Sequence, residues 1–374
     1  MEISNWSAPF GCEPSSIPFT YLGIPDGENM NKKNAWRLII EKFHSKLSTW
    51  KVKALSFGGR VTLANAVLGN LPTYFMSIFV IPNGVLDTLE KIRRKFIWCR
   101  EYNKKSIYWV KWDKIIAPKK VGGIGLGSIK ATNISLLAKW MWRLKADESS
   151  MWSKVIRSIH NLEGRHWCVF ANRSNTGVWK NIIKTRNRYM QYNIDPKEIV
   201  SWNSIDRCWE SDIVRDGRFM VCLLRERIEL AGYIVNDGPF AWDKLTPFKI
   251  LCFIWRAKLG RIPSAVELKN RGIIIPNTMC GVCNSEEETC EHILLTCPVA
   301  KEIMDSILVW CEIRCDRFLS VDNMLLFISR WSKCKYKRRL LNAILCGALW
   351  FIWMDRNKRI FEKIPIVSAN TWKE

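Results

Sequence analysis

Residues 278–300 read TMCGVCNSEEETCEHILLTCPVA, and within them Cys280, Cys283, His292 and Cys297 form a C-x2-C-x8-H-x4-C run. Thiolates and imidazoles are the donors a structural zinc ion takes, four at a time, at about 2.0–2.3 Å. The C-x2-C turn presents two sulfurs, and the His-x4-Cys pair returns one nitrogen and a third sulfur. All four places are then filled by protein, leaving none for a reactive water, so the expected cofactor is structural zinc. The plain alternative is a set of ordinary buried thiols in a chain with 14 cysteines among 374 residues. Against it, three cysteines and one of only four histidines fall within 18 acidic, loop-like residues. Cys290, just before His292, is a spare thiol that could replace a ligand. Cys12, Cys99, Cys168, Cys208, Cys222 and Cys252 are scattered singly, and no signal peptide precedes them, which points to a reducing intracellular compartment.

Charge narrows the class of partner. Lysine plus arginine total 58 against 35 acids, a formal charge of +23. Such an excess favours polyanions, and nucleic acid is the commonest one a reduced protein meets. The excess is uneven: residues 1–150 hold 23 basic and 11 acidic side chains. The knuckle itself is acidic, with Glu286, Glu287, Glu288 and Glu291. Val61 to Leu86 carries no charge and exceeds the roughly 20 residues that cross a bilayer. Pro72 and Pro82 break it, so it reads as two buried elements joined by turns, and no membrane partner is expected.

The remaining pattern is mainly helical. The first 25 residues are proline-rich and strand-like, through Phe19-Thr20-Tyr21-Leu22-Gly23-Ile24-Pro25. Trp36, Ile39, Ile40, Phe43, Leu47 and Trp50 then recur as one helical apolar stripe. The Ser56–Arg60 stretch is expected to interrupt before a helix of Val61, Ala64, Val67 and Leu68. A third helix spans about Val85 to Trp98. Pro118–Gly127 is a glycine loop; a G-x-G-x-x-G counted from Gly123 reaches Ser128, so the dinucleotide fingerprint fails. Leu137, Trp140, Met141 and Leu144 mark another helix. Residues 160–240 read only as mixed structure. Ser264 and Glu267 have capping-box spacing with Gly272 as a stop, Pro298 can open a helix, and Lys337 to Phe361 is one long helix. Of the 20 tryptophans, Trp36, Trp50 and Trp140 sit on apolar stripes, so core packing is the first reading, while loop tryptophans such as Trp167 and Trp179 are open to base stacking.

Taken in order, PFTYLGIP, KLSTWKVKALSFGGRVTLANAVLGNLPTYFMSIFVIP, IRRKFIWC, VKWDKIIAPKKVGGIGLGSI, NISLLAKWMWRL, the Cys/His segment and LWFIWMDRNKRIF resemble the C-terminal half of plant LINE-type (non-LTR) retrotransposon reverse transcriptases. The stretch from about Trp242 to Trp310 is similar to their zinc-binding domain, zf-RVT. The resemblance implies the end of a palm at 1–25, a thumb-like helical region at 26–150 and a connecting region at 151–240. A zinc-binding domain at 241–312 and C-terminal helices at 313–374 would follow. The implied fold is mainly α, with short N-terminal strands and a small zinc knuckle.

The family's polymerase needs paired carboxylates, two of them in an aromatic-Ala-Asp-Asp turn, to hold two metal ions. This sequence contains no Asp-Asp pair, and the matching region would lie upstream of residue 1. A ribonuclease H domain would follow the IWMDRN match. Asp216-Gly217 and Asp237-Gly238 read as turns, and His44, His160 and His166 complete no catalytic set; neither G-x-S-x-G nor H-E-x-x-H occurs. The expectation is therefore a non-enzymatic, zinc-stabilised fragment that binds RNA or an RNA–DNA template–primer. Lys32, Lys33, Lys42, Lys51, Lys53, Arg60, Arg93, Arg94 and Lys95 are its candidate phosphate contacts, and missing polymerase domains acting in trans are a further expected partner. Nuclear residence fits the family, but no basic cluster is a convincing import signal, so the reading leaves nucleus or cytoplasm open. A protein-interaction module with no nucleic-acid role is the other reading. If the domains are independent, Cys283→Ser should loosen 280–297 and leave the N-terminal helices intact.

Overall fold

A computed structural model describes residues 16–46, 55–99, 106–160, 177–233 and 240–362, together with positions 9, 11 and 238. Near its start, β1 (Phe19–Tyr21) and β2 (Ile24–Asp26) pair antiparallel with Tyr21 opposite Ile24. Leu22 and Gly23 make the two-residue turn with φ of 47° and 80°, the positive pair that a tight hairpin needs. A 3-10 turn, Lys33–Trp36, leads into α1 (Arg37–Lys46). Trp36, Ile39 and Phe43 are buried along the expected stripe, and Trp36 Nε1 donates to Met30 O at 2.9 Å. Leu47 and Trp50, which would continue it, lie outside the described residues.

The SFGGR stretch departs from expectation. It starts α2 (Phe57–Leu63), because Ser56 caps the helix by accepting from Gly59 N at 3.1 Å. A methyl group on Gly58 would sit 3.2 Å from Lys249 Cα, so the glycine lets two helix backbones approach closely. A π turn, Ala64–Leu68, and α3 (Thr73–Met76) follow, before α4 (Asn83–Trp98) begins after Pro82. The uncharged stretch is thus several short buried elements. No helix among the described residues is long and apolar enough to cross a membrane.

Behind α5 (Trp112–Ile116), the glycine loop folds back on that helix, Leu126 N bonding Ile115 O at 3.0 Å and Gly127 N bonding Ile116 O at 3.1 Å. It is a backbone turn. Ser128 then caps α6 (Ile129–Ala146), accepting from Ala131 N at 3.2 Å. After α7 (Met151–His160), the region read only as mixed contains α8 (Gly177–Met190), α9 (Pro196–Ile199), two hairpins and α10 (Val221–Gly232). The hairpins are β3 (Ser201–Asn203) with β4 (Cys208–Glu210), and β5 (Val214–Arg215) with β6 (Arg218–Phe219). Asp216 and Gly217 turn the second with φ of 49° and 70°, as expected; Asp237 lies outside the described residues.

Helix α6 is buried on two sides. Ile134, Ala138 and Trp142 face Ile199, Leu224 and Ile228, while Leu137, Met141 and Leu144 face Trp179, Ile182 and Ile183. Trp179 is therefore core, not an open stacking platform, because it begins the apolar face of α8; Trp167 lies outside the described residues. Asn133 ties α6 to the α3 end: its Nδ2 donates to Met76 O and Phe79 O, and its Oδ1 accepts from Ile81 N.

Glu229 of α10 is 4% exposed and accepts from Ser128 N at 2.7 Å. Burial raises its pKa above the ordinary value, against the downward pull of that N–H and of Arg225 and Arg93. A raised acid holds its proton more tightly when folded, so the contribution of this site to stability falls as pH rises out of the carboxylate range. Glu229→Gln keeps the acceptor and is expected to flatten that part of the urea-midpoint profile between pH 4 and 7. An unchanged profile would exclude Glu229 as its source.

The last third comprises α11 (Phe248–Lys258), α12 (Ala265–Lys269), α13 (Pro298–Trp310), α14 (Val321–Arg330) and α15 (Lys335–Glu362). Ser264 caps α12 by accepting from Glu267 N, and Pro298 opens α13, both as the sequence implied. Helix α11 buries seven of its residues, Ile250 to Trp255 and Ala257, as a helix apolar nearly all round must. It packs against α2 on one side and α15 on another, and Trp255 Nε1 donates to Gly122 O at 2.7 Å. One apolar cluster consequently runs from Trp36 and Leu89 through Trp255 and Leu294 to Trp353. The fold is mainly α, with only two-stranded sheets among the described residues.

Candidate metal centre

Two local structures bring the four candidate ligands together. The first is a small knuckle in which Glu288 N bonds Thr278 O at 2.7 Å and Cys280 N bonds Glu286 O at 2.8 Å. Asn284, at φ 53°, turns the chain behind Cys283. The second is a π turn, His292–Thr296, closed by Cys297 N donating to His292 O at 2.8 Å. Five residues along an α-helix rotate through about 500°, leaving the second side chain about 140° off the first. The wider i to i+5 turn returns His292 and Cys297 to one side, a common use of such turns at functional sites.

The result is a compact donor set. One ligand atom from each of Cys280, Cys283, His292 and Cys297 lies within 4.8 Å of the others. His292 Nε2 is 3.2 Å from Cys283 Sγ, while His292 Nδ1 is 2.8 Å from Glu286 Oε2. With Nδ1–H donating to the carboxylate, the Nε2 lone pair faces the sulfurs. Each sulfur also receives backbone N–H groups. Val282 and Cys283 donate to Cys280, Ser285 to Cys283, and Val299 and Ala300 at the start of α13 to Cys297. The Cys297 thiol donates to Cys280, the main reason the Cys280 pKa falls to about 4 while that of Cys297 rises. The same backbone N–H groups would offset the negative charge of three thiolates holding a cation.

Cys290 is not part of the set. Its Sγ–H donates to Ala257 O at 3.4 Å, and burial pushes its thiol pKa up. The sequence reading missed Glu286 as the orienting carboxylate and treated Glu288 as one more loop acid. Glu288 is 1% exposed; its carboxylate receives Ala265 N at 2.9 Å and both Arg356 Nε, at 3.1 Å, and Arg356 Nη2. The pair clasps the knuckle to α12 and α15. Alternation was the available signal, since Glu288 and Cys290 both point inward while Glu287 stays exposed. Glu286→Ala is expected to weaken metal affinity about 10–100-fold, read by competition with a chromophoric chelator. An unchanged affinity would mean that Glu286 does not orient the imidazole.

The candidate phosphate contacts do not form one surface. Lys32, Lys33 and Lys42 are exposed on and before α1; Lys51 and Lys53 lie outside the described residues. Two assignments are corrected. Arg60 is 6% exposed and its Nη1 donates to Cys99 O at 3.0 Å. Arg93 is 1% exposed, pairs with Glu90 and donates to Leu126 O and Gly127 O. Both sit on the buried side of their helices and hold the core. Arg94 stacks on Trp112 with its Cζ 5.2 Å from the ring centroid, and Lys95 is half-buried.

Residues 226–303 match the family model for the zinc-binding domain in reverse transcriptase, and the four clustered Cys and His side chains fall inside that range. The chain is 33% identical over 117 residues to an uncharacterized mitochondrial protein of Arabidopsis thaliana, covering 31% of this chain and 76% of that relative. It is also 34% identical over 153 residues to an Arabidopsis thaliana protein named for ribonuclease H, covering 40% of this chain and 24% of that relative. This is a reverse-transcriptase-related protein of retrotransposon origin. The retrotransposon-derived chain spans about a quarter of the length of the ribonuclease H-named relative. The matched domain begins within α10, earlier than the 241–312 bounds drawn from sequence, and ends inside α13.

Proposed function

We propose that the chain is a zinc-stabilised, non-catalytic part of a LINE-type reverse transcriptase polypeptide that holds RNA or an RNA–DNA template–primer by its backbone. The observation that carries this is the three-thiol, one-imidazole cluster inside the matched zinc-binding segment. The donor set fits zinc: soft sulfurs, one imidazole turned by a carboxylate, and backbone N–H groups that offset thiolate charge. Bound there, zinc would supply a cross-link between knuckle and helix. Cys280 and Cys283 would anchor the knuckle, His292 the π turn, and Cys297 the start of α13. Polyanion binding draws support from the +23 charge and from Lys32, Lys33 and Lys42 on an exposed face. The lack of an Asp-Asp pair in the sequence supports a holding role over polymerisation.

Elemental analysis of the purified, undenatured chain tests the first half, with one zinc per chain expected and none overturning it. Anisotropy of a labelled template–primer at two salt concentrations tests the second. Binding that weakens steeply with salt is expected, and no binding at low salt would remove the nucleic-acid role.

A second reading, a protein-interaction module, has one feature in its favour. Ile303 and Ile307 of α13 and Ile344 and Phe351 of α15 line an apolar groove of about 360 Å³, with Phe351 58% exposed. A defined partner retained after nuclease treatment would favour that reading.

A further inference from the structure

A groove of about 1040 Å³ opens where the segment before α5 meets the end of α11 and the stretch around α12. Six cationic side chains line it: Arg94, Lys111, Lys114, Lys258, Arg261 and Arg271. Its three carboxylates are Asp113, Glu267 and Asp322. Two of these are matched within the groove, Glu267 by Arg261 at 3.1 Å and Asp322 by Lys258 at 3.1 Å. Cations therefore outnumber anions six to three around the groove.

Aromatic rings alternate with this charge. Arg271 stacks on Trp109 at 4.6 Å and donates to Tyr108 O at 3.2 Å and Trp109 O at 3.1 Å, fastening one wall to the other. Arg94 lies over Trp112, and its Nε is buried with no hydrogen-bond partner among the described residues. Tyr108 is 48% exposed, and the hydrogen bond from Arg271 reaches its backbone rather than its ring. A groove that interleaves an excess of positive charge with an exposed ring suits a strand whose bases are not already stacked on partners. Phosphates meet the cations and a base face meets the ring. A duplex would leave the ring without a base to stack on.

We propose that this groove seats a single-stranded stretch of nucleic acid, with one base stacked on Tyr108 and its phosphates facing Arg94, Lys111 and Arg261. The assignment rests on the nucleic-acid role proposed above and gives it a location away from α1. It also gives a reason for the two halves of the chain to share one core, since each supplies one wall.

The test uses the full chain and a short fluorescein-labelled oligouridylate, read by anisotropy over a salt series. Tyr108→Ala is expected to weaken binding about tenfold with the salt slope unchanged, and Tyr108→Phe to restore it. Lys111→Ala is expected to lower the slope of log K against log salt by about 0.7. Far-UV circular dichroism identical to wild type shows that each variant folds, as the exposure of both side chains implies. If the wild type binds the oligonucleotide and both alanine variants bind it equally well with the same slope, the groove is not the seat and the broader reading stands. If the wild type binds neither oligonucleotide nor template–primer at low salt, both fall.

Discussion

Replacing Arg356 with leucine is expected to destabilise the chain by about 3–5 kcal/mol, the usual result of stranding one member of a buried ion pair. Glu288 would remain 1% exposed with its carboxylate facing a hydrocarbon neighbour in place of Nε and Nη2. The effect should spread, because Glu288 also accepts from Ala265 N and so holds the first turn of α12. The double variant Glu288→Gln with Arg356→Met removes both charges while keeping an acceptor for Ala265, and is expected to recover most of the loss. Guanidinium midpoints of wild type, single and double variants decide it. A single variant within about 0.5 kcal/mol of wild type would mean that the pair does not hold knuckle to α15.

Stripping the metal should have the larger effect. Apparent binding free energies of about 10–16 kcal/mol are typical when four soft ligands close a small zinc-dependent fold, and the free energy is expressed as local folding. A chelator, or Cys283→Ser, is expected to raise amide exchange throughout 278–300. It should also raise exchange in α11 and α15, because Leu294 and Leu295 of the π turn belong to the same apolar cluster as Trp255 and Leu349. Independent domains would have confined the change to the knuckle. The continuity of the core across residues 240 and 312 argues for the wider response, reaching α2 through its contact with α11. Hydrogen exchange that leaves 278–300 as protected after chelation as before would end the case for a structural metal.

Both expectations draw on features that differ in how far they could be read along the chain. The clustering of the four candidate ligands was legible because a C-x2-C turn and an H-x4-C pair are local and fix both donor type and spacing. The stripe of Trp36, Ile39 and Phe43 was legible because helical periodicity repeats within a few turns. Arg93 was misplaced because Arg93 and Arg94 are chemically alike, and only the fold decides which one enters the core to donate to Leu126 O and Gly127 O. The SFGGR stretch was misread as a break because Gly58 matters through Lys249, a residue far away in sequence. Glu288 and Arg356 likewise find each other across 68 residues. Long-range partnership has no periodicity to betray it.

The π turn carries a consequence for how this protein family can drift. Inserting a residue within 293–296 would carry the third sulfur roughly another 100° around its helix, whereas deleting one would leave an i, i+4 pair that an ordinary α turn already brings to one face. Residues 284–289, by contrast, form an acidic arc outside any helix, where rotation per residue is not what aims the ligands. Length variation among relatives should therefore gather in the arc, and between the histidine and the last cysteine it should be confined to loss of the one residue that the π turn accommodates. The ruler in this motif is angular, not linear.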